Sequence, residues 1–165
     1  MSASKESVFE INHSKFGTEE FHIVSAKYNI YRVADNIWEF VVSFKTDKSL
    51  LRTKELEKLL DAKPNFEAAV LLSSGDIELK EGKSIFQKEG YDYERDENLS
   101  NIYYFEHNSV EELSIDIIEL SKEWIALNIN GKAIIVGSNG VNPDANLKIV
   151  NTKFYLDNNL FRSFS

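Results

Sequence analysis

The stretch Ile37–Thr46, IWEFVVSFKT, carries the strongest strand signal in the chain. Aromatic and β-branched side chains recur there at every second position, which is the period of a pleated strand. A second apolar run, Phe21–Ala34, precedes it, and the Asp35-Asn36 pair between the two runs tolerates the backbone geometry of a tight turn. The two runs therefore predict a β-hairpin. The alternating positions of its second strand are Trp38, Phe40, Val42 and Phe44.

Shorter apolar runs, bounded by Gly, Asn, Asp and Ser, predict further strands after this hairpin. One pair is expected to form a second hairpin, with Asn130-Gly131 as its two-residue turn, although the same dipeptide also suits the end of a helix. The expected strands are Phe66–Ser73, Ile77–Lys80, Ile102–His107, Trp124–Ile129, Lys132–Gly137 and Leu147–Leu156.

Two segments favour helices. Residues 53–62 place leucines at helical spacing between a possible N-cap, Thr53, and Pro64, which disfavours helix at the residue before it. Residues 110–123 follow a capping-box pattern at Ser109–Glu112, in which a Ser hydroxyl and a Glu carboxylate satisfy reciprocal amide donors. A strand through Ile115–Leu120 is the alternative, but its alternation breaks at Ile117-Ile118. The apolar stripe that favours the helix is Val110, Leu113, Ile117, Leu120 and Trp124.

These elements predict an α+β fold. The 165 residues correspond to one domain, expected over residues 8–165 after a flexible N-terminus at 1–7. A curved or partly closed antiparallel sheet of about eight strands dominates it, with helices near 53–62 and 110–123. Residues 81–100 lack periodicity and are expected to form a long acidic loop, of a length that is usually functional or disordered.

Charge is distributed unevenly along the chain. The formal net charge is −8, and residues 76–123 hold 14 acidic and 5 basic side chains, whereas the remainder holds 13 acidic and 14 basic. Binding to a phosphate backbone requires clustered Lys and Arg, so direct binding to nucleic acid is not expected. No apolar run has the length of a signal peptide or a membrane span, so we expect a cytoplasmic protein without membrane association. The absence of cysteine excludes disulfides, thiolate zinc sites and Cys nucleophiles.

Local motifs for catalysis or metal binding do not occur. The three histidines show none of the short spacings typical of metal sites, and there is no nucleophile elbow or phosphate-binding loop. The alternating acids Asp92, Glu94 and Asp96 resemble the start of a calcium loop, but Glu97 and Tyr103 stand where that loop needs Gly and Glu. We therefore expect no cofactor and no metal, and catalysis is not favoured.

The acidic loop combines carboxylates with tyrosines. Tyrosine provides a large contact area at low entropic cost, and carboxylates form charge-assisted hydrogen bonds with Arg and Lys. The first hypothesis is therefore a protein-interaction module for a basic partner protein, one version being an immunity-type inhibitor that covers the phosphate-binding residues of a nucleic-acid-cutting toxin. The predicted binding residues are Tyr91, Asp92, Tyr93, Glu94, Asp96, Glu97, Tyr103 and Tyr104.

The alternative hypothesis is a small-molecule carrier or sensor. In that case the curved sheet encloses an apolar cavity, lined from the hairpin by Trp38, Phe40 and Phe44. The same alternation also suits a core filled by its own side chains.

Overall fold

The computed structural model describes residues 7–13, 17–53, 63–88, 91–92, 97–104, 106–135 and 144–161. In these ranges the chain forms strands and one short 3-10 turn, Ser74–Asp76. The strands are β1 (Val8–His13), β2 (Gly17–Ala34), β3 (Ile37–Arg52), β4 (Asn65–Ser73), β5 (Ser84–Gln87), β6 (Tyr91–Asp92), β7 (Glu97–Asn98), β8 (Ser100–Tyr104), β9 (Glu106–Leu120), β10 (Trp124–Ile134) and β11 (Asp144–Leu156).

Nine of these strands form one sheet that closes on itself. The strand order is β10-β11-β1-β2-β3-β4-β8-β9, and β9 pairs back with β10. β5 is the ninth strand and also pairs with β9. The ladders are antiparallel, apart from a short parallel contact between the end of β11 and the middle of β2. The α+β prediction is therefore wrong for the described part of the chain, which is antiparallel sheet without an α-helix.

The predicted hairpin is confirmed. β2 and β3 pair antiparallel from Glu19–Arg52 at one end to Ala34–Ile37 at the other, and Asn36 adopts a left-handed conformation with φ of 63° in the turn. The side chain of Asn tolerates this region better than most residues, because it is short and polar.

The outer face of β2 and β3 is also covered. Val41, which points away from the core cluster, is fully buried. The segment after β11 contributes to this cover, because the amide of Asn29 donates to the Leu160 carbonyl at 2.9 Å and the rings of Tyr31 and Phe161 lie 4.9 Å apart. Burial on both faces explains why strict alternation of polar and apolar residues weakens in the middle of β3.

The predicted helix at 110–123 is wrong, because this segment is β9 and two bulges imitate helical spacing. Glu112 pairs with Lys132 and Val110 with Ala133, so Glu111 is an extra residue, and Ile118 is another between Ile117 and Glu119. Each bulge shifts the inward-facing positions by one residue. The inward-facing residues are therefore Val110, Leu113, Ile115, Ile117 and Leu120, which share four members with the predicted helical stripe.

Two further expectations are wrong. Asn130-Gly131 is not a turn but lies inside β10, where Gly131 pairs with Leu113 and Leu147. A Cβ at Gly131 would lie 3.0 Å from the Glu112 carbonyl oxygen, so this glycine permits a close approach of two strands. The expected strand at Ile77–Lys80 is not formed, and β5 begins at Ser84. Of the predicted helix at 53–62, residues 54–62 lie outside the described residues.

Candidate functional site

The acidic stretch is inserted into one wall of the closed sheet. β5 pairs with residues 113–116 of β9 and β8 pairs with residues 106–109. Because β10 occupies the other edge of β9, β5 and β8 follow one another along the same edge and together act as one strand. Residues 88–99 interrupt this composite strand. The sheet closes through β8, β9 and β10 without them.

Within the insertion the backbone of Tyr91–Asp92 pairs antiparallel with Glu97–Asn98, as a separate two-stranded ladder. The predicted binding residues Tyr91, Asp92 and Glu97 therefore belong to one two-stranded ladder, and we call the insertion that contains it, residues 88–99, the acidic hairpin. Three others, Tyr93, Glu94 and Asp96, lie outside the described residues.

The two remaining predicted residues, Tyr103 and Tyr104, point to opposite faces of β8. Tyr103 is 40% exposed, whereas Tyr104 is 2% exposed and donates from its hydroxyl to Glu19 at 2.6 Å. Adjacent residues of a strand alternate between the two faces, so a Tyr-Tyr pair at one site presents only one ring outward. The structure thus brings Tyr103 to the outer surface and places Tyr104 in the interior.

The outer surface beside the insertion carries features that the sequence argument did not single out. Phe86, on β5, has a 63% exposed ring and borders a groove of about 320 Å³. Isolated exposed Phe side chains are normal, but this one lies immediately before an acidic insertion. In the strand sequence SIFQ, Phe86 alternates with the buried residues Ile85 and Gln87. This alternation is the sequence pattern that indicates an outward-facing ring. The acidic side chains on the outer face of neighbouring β9 are Glu111, Glu112, Asp116 and Glu119.

A second polar cluster lies inside the sheet, at the end where β1, β3 and β8 finish. Glu19 is fully buried and accepts hydrogen bonds from His13 at 2.8 Å and Tyr104 at one carboxylate oxygen, and from Arg52 at 3.1 Å at the other. Burial raises the pKa of Glu19, but the hydrogen bonds from His13 and Tyr104, the charge of His13 and the Arg52 hydrogen bond outweigh it, so the pKa is lowered overall.

We name these four residues the buried quartet. They come from four different strands, and Tyr104 is 85 positions from Glu19, so no local spacing in the sequence indicates the cluster. An ionised Glu19 with three donors is chemically satisfied, and its full burial leaves no access for a substrate. The quartet therefore acts as a tie between strand ends.

The hairpin residues that the carrier hypothesis placed around a cavity lie in a packed core. Phe40 and Phe44 are fully buried, while Trp38 is partly exposed. The ring centroid of Phe44 lies 4.8 Å from that of Phe9 and 5.1 Å from that of Phe66. Closed sheets of eight strands are just wide enough for side chains to fill. This packing favours a filled interior over a cavity.

Across the described ranges, no group of three or more His, Asp or Glu side chains is arranged to hold a metal ion. The same part of the chain contains no helix with the length and apolar character needed to cross a membrane. Comparisons of the chain with protein-family models, with curated proteins and with solved structures gave no match.

Proposed function

We propose that this chain is a protein-interaction module that binds a basic partner protein through the inserted acidic hairpin, residues 88–99. The observation that carries the proposal is the insertion itself. A twelve-residue excursion with five acidic side chains divides a wall strand, although the sheet closes without it. Segments that a scaffold displays but does not need for its own closure are where binding residues concentrate.

The surroundings of the hairpin support a basic partner. The acidic side chains of β9 lie on the outer face of the strand that pairs with both sides of the insertion. Among the described residues, Lys132 lies 3.6 Å from Glu112 and neutralises part of this face. A surface of one sign raises the rate at which an oppositely charged protein is captured.

Aromatic side chains supply the apolar part of such an interface. Phe86 and Tyr103 are exposed on the composite strand, one before the insertion and one after it. Rigid rings with a large contact area contribute strongly at interface centres, and an Arg side chain stacks on them. A basic partner therefore finds both charge and contact area on this face.

A nucleic-acid-cutting toxin is the concrete partner class that suits this arrangement. Such an enzyme holds phosphates with Lys and Arg, and the carboxylates of the hairpin would occupy those residues as substitutes for phosphate. The chain would then act as an immunity-type inhibitor. We propose the cytoplasm as the place of this encounter.

The test is affinity capture from source cells at about 50 mM and about 300 mM salt. Contacts between exposed charges are screened more strongly at the higher concentration. The variant reverses Asp92, Glu94, Asp96 and Glu97 to Lys. The matched control reverses four acids on other strands and turns, namely Glu20, Asp35, Asp47 and Asp144. Both variants change the net charge equally.

A basic protein retained by wild type and by the control, but lost by the hairpin variant, supports the proposal. Its association rate constant should fall by about tenfold or more in the hairpin variant, because steering by charge acts on the rate of encounter. Equal losses in both variants would show that total charge and not the hairpin attracts the partner, and would contradict the proposal.

A further inference from the structure

The break that the insertion makes in the composite strand is bridged by one side-chain amide. Gln87 is the last residue of β5 and Ser100 the first of β8, and both are buried. The Gln87 Nε2 donates to the Ala69 carbonyl at 2.7 Å, and its Oε1 accepts from the Ser100 hydroxyl at 2.5 Å. The residues on either side of the insertion are thereby tied to each other and to β4.

The orientation of this amide follows from chemistry. A backbone carbonyl only accepts hydrogen bonds, so the NH₂ group of Gln87 must face Ala69, and its oxygen then faces the hydroxyl of Ser100. The N–H of Ala69 donates to the Leu99 carbonyl at 2.8 Å, as in an ordinary ladder. The carbonyl of Ala69 instead receives from Gln87 the hydrogen bond that a neighbouring backbone N–H would supply in a continuous strand.

We propose that Gln87 and Ser100 are positioning residues, a latch that fixes where and in which direction the acidic hairpin leaves the sheet. This inference rests on the proposed function for the purpose of the hairpin, but the latch itself stands on described contacts. A hairpin held at its base loses less conformational freedom when a partner binds, and such preorganisation strengthens binding without any new contact.

The first measurement is residue-resolved hydrogen exchange in the free protein. Gln87→Met keeps the length of the side chain but removes both latch hydrogen bonds, and Ser100→Ala removes one. We expect exchange in the Tyr91–Asp92 and Glu97–Asn98 ladder to accelerate by about fivefold in Ser100→Ala, which loses one hydrogen bond, and by about twentyfold in Gln87→Met, which loses two. One hydrogen bond shifts a local opening equilibrium by roughly fivefold.

The control is Thr46→Val, which removes a comparable buried hydrogen bond, from Thr46 Oγ1 to the Pro64 carbonyl at 2.7 Å. It should leave exchange in the β6–β7 ladder unchanged. Unchanged exchange in Gln87→Met and Ser100→Ala, or an equal acceleration in Thr46→Val, would overturn the latch.

The second measurement separates the latch from the proposed function. The probe is a fluorescent decapeptide of alternating Lys and Arg, followed by anisotropy at low salt. We expect Gln87→Met to weaken its binding by about threefold through lost preorganisation, and the four-acid reversal to abolish it. Faster exchange with unchanged peptide affinity would overturn the positioning role. Unchanged affinity in the four-acid reversal would defeat the proposed function and leave the exchange result standing.

Discussion

Glu19 and the carboxylates of the outer acidic face are the same chemical group in opposite surroundings. Glu19 is fully buried and satisfied by three donors, so it holds four strands together. Glu112 and Asp116 lie on the outer face of β9, where the former has one ion pair at 3.6 Å and the latter accepts from Ser84 at 2.6 Å. The comparison separates acids that stabilise this fold from acids available to a partner.

The largest expected effect is that of Glu19→Gln. The substitution keeps the shape but places an NH₂ donor on a side where Glu19 accepts a hydrogen bond, and it removes the charge that balances Arg52. Breaking a buried ion pair by removing one partner typically costs about 3–5 kcal/mol, so urea unfolding should show a loss of that order. Glu112→Gln is the control and should change stability by about 0.5 kcal/mol or less. Similar losses in both variants would show that the buried Glu19 stabilises the fold no more than the exposed Glu112 does.

Low pH should remove the contribution of ionised Glu19 to the stability of the wild-type protein. The folded-state pKa of Glu19 is lowered from its ordinary value of 4.5, so the folded protein holds this carboxylate ionised to lower pH than the unfolded chain does. The stabilisation is fully present above the unfolded value and is lost as pH falls through the folded value. Urea unfolding at a series of pH values should show wild type and Glu19→Gln converging below pH 4.5. Curves that stay parallel would contradict this assignment.

The adjacent tyrosines of β8 provide a smaller and better matched pair. Tyr104→Phe removes a donor to a buried carboxylate, and hydrogen bonds to charged groups contribute about 1.5–3 kcal/mol. Tyr103→Phe removes a hydroxyl from a side chain that is 40% exposed, so we expect a smaller loss of stability than for Tyr104→Phe. Thermal unfolding distinguishes the two. If Tyr103→Phe were the more destabilising change, the inward and outward assignment along β8 would be reversed.

The sequence predicts this fold where period two is uninterrupted and fails where it is broken. The β2–β3 hairpin could be predicted because its alternation and its Asp-Asn turn agree. β9 could not be predicted, because each bulge adds one residue to the strand. The inward-facing apolar residues are then three positions apart at each bulge, as they are in a helix. Asn130-Gly131 has the composition of a turn, but Gly131 is required there by the nearby Glu112 carbonyl.

The acidic hairpin and the buried quartet also differ in how well the sequence predicts them. The acidic hairpin is contiguous, so its composition is visible in the sequence before any pairing is known. The buried quartet is assembled by strand order alone, from residues as far apart as Glu19 and Tyr104. Tyr104 had a visible signal, its place in a tyrosine-rich stretch, but that signal pointed to the outer surface and not to Glu19.

The four-acid reversal in the hairpin is also expected to have little effect on stability. Four exchanges of Asp or Glu for Lys move the net charge from −8 to 0, since each changes it by two. The proposed role of these acids is to bind a partner and not to stabilise the sheet, so their reversal should remove little that folding depends on. A net charge nearer zero also reduces repulsion across the molecule as a whole. The melting temperature should therefore shift by no more than about 2 °C, which corresponds to roughly 0.5–1 kcal/mol for a domain of this size. A loss comparable to that of Glu19→Gln would show that these carboxylates stabilise the sheet, and the hairpin would then belong to the same structural class as the quartet.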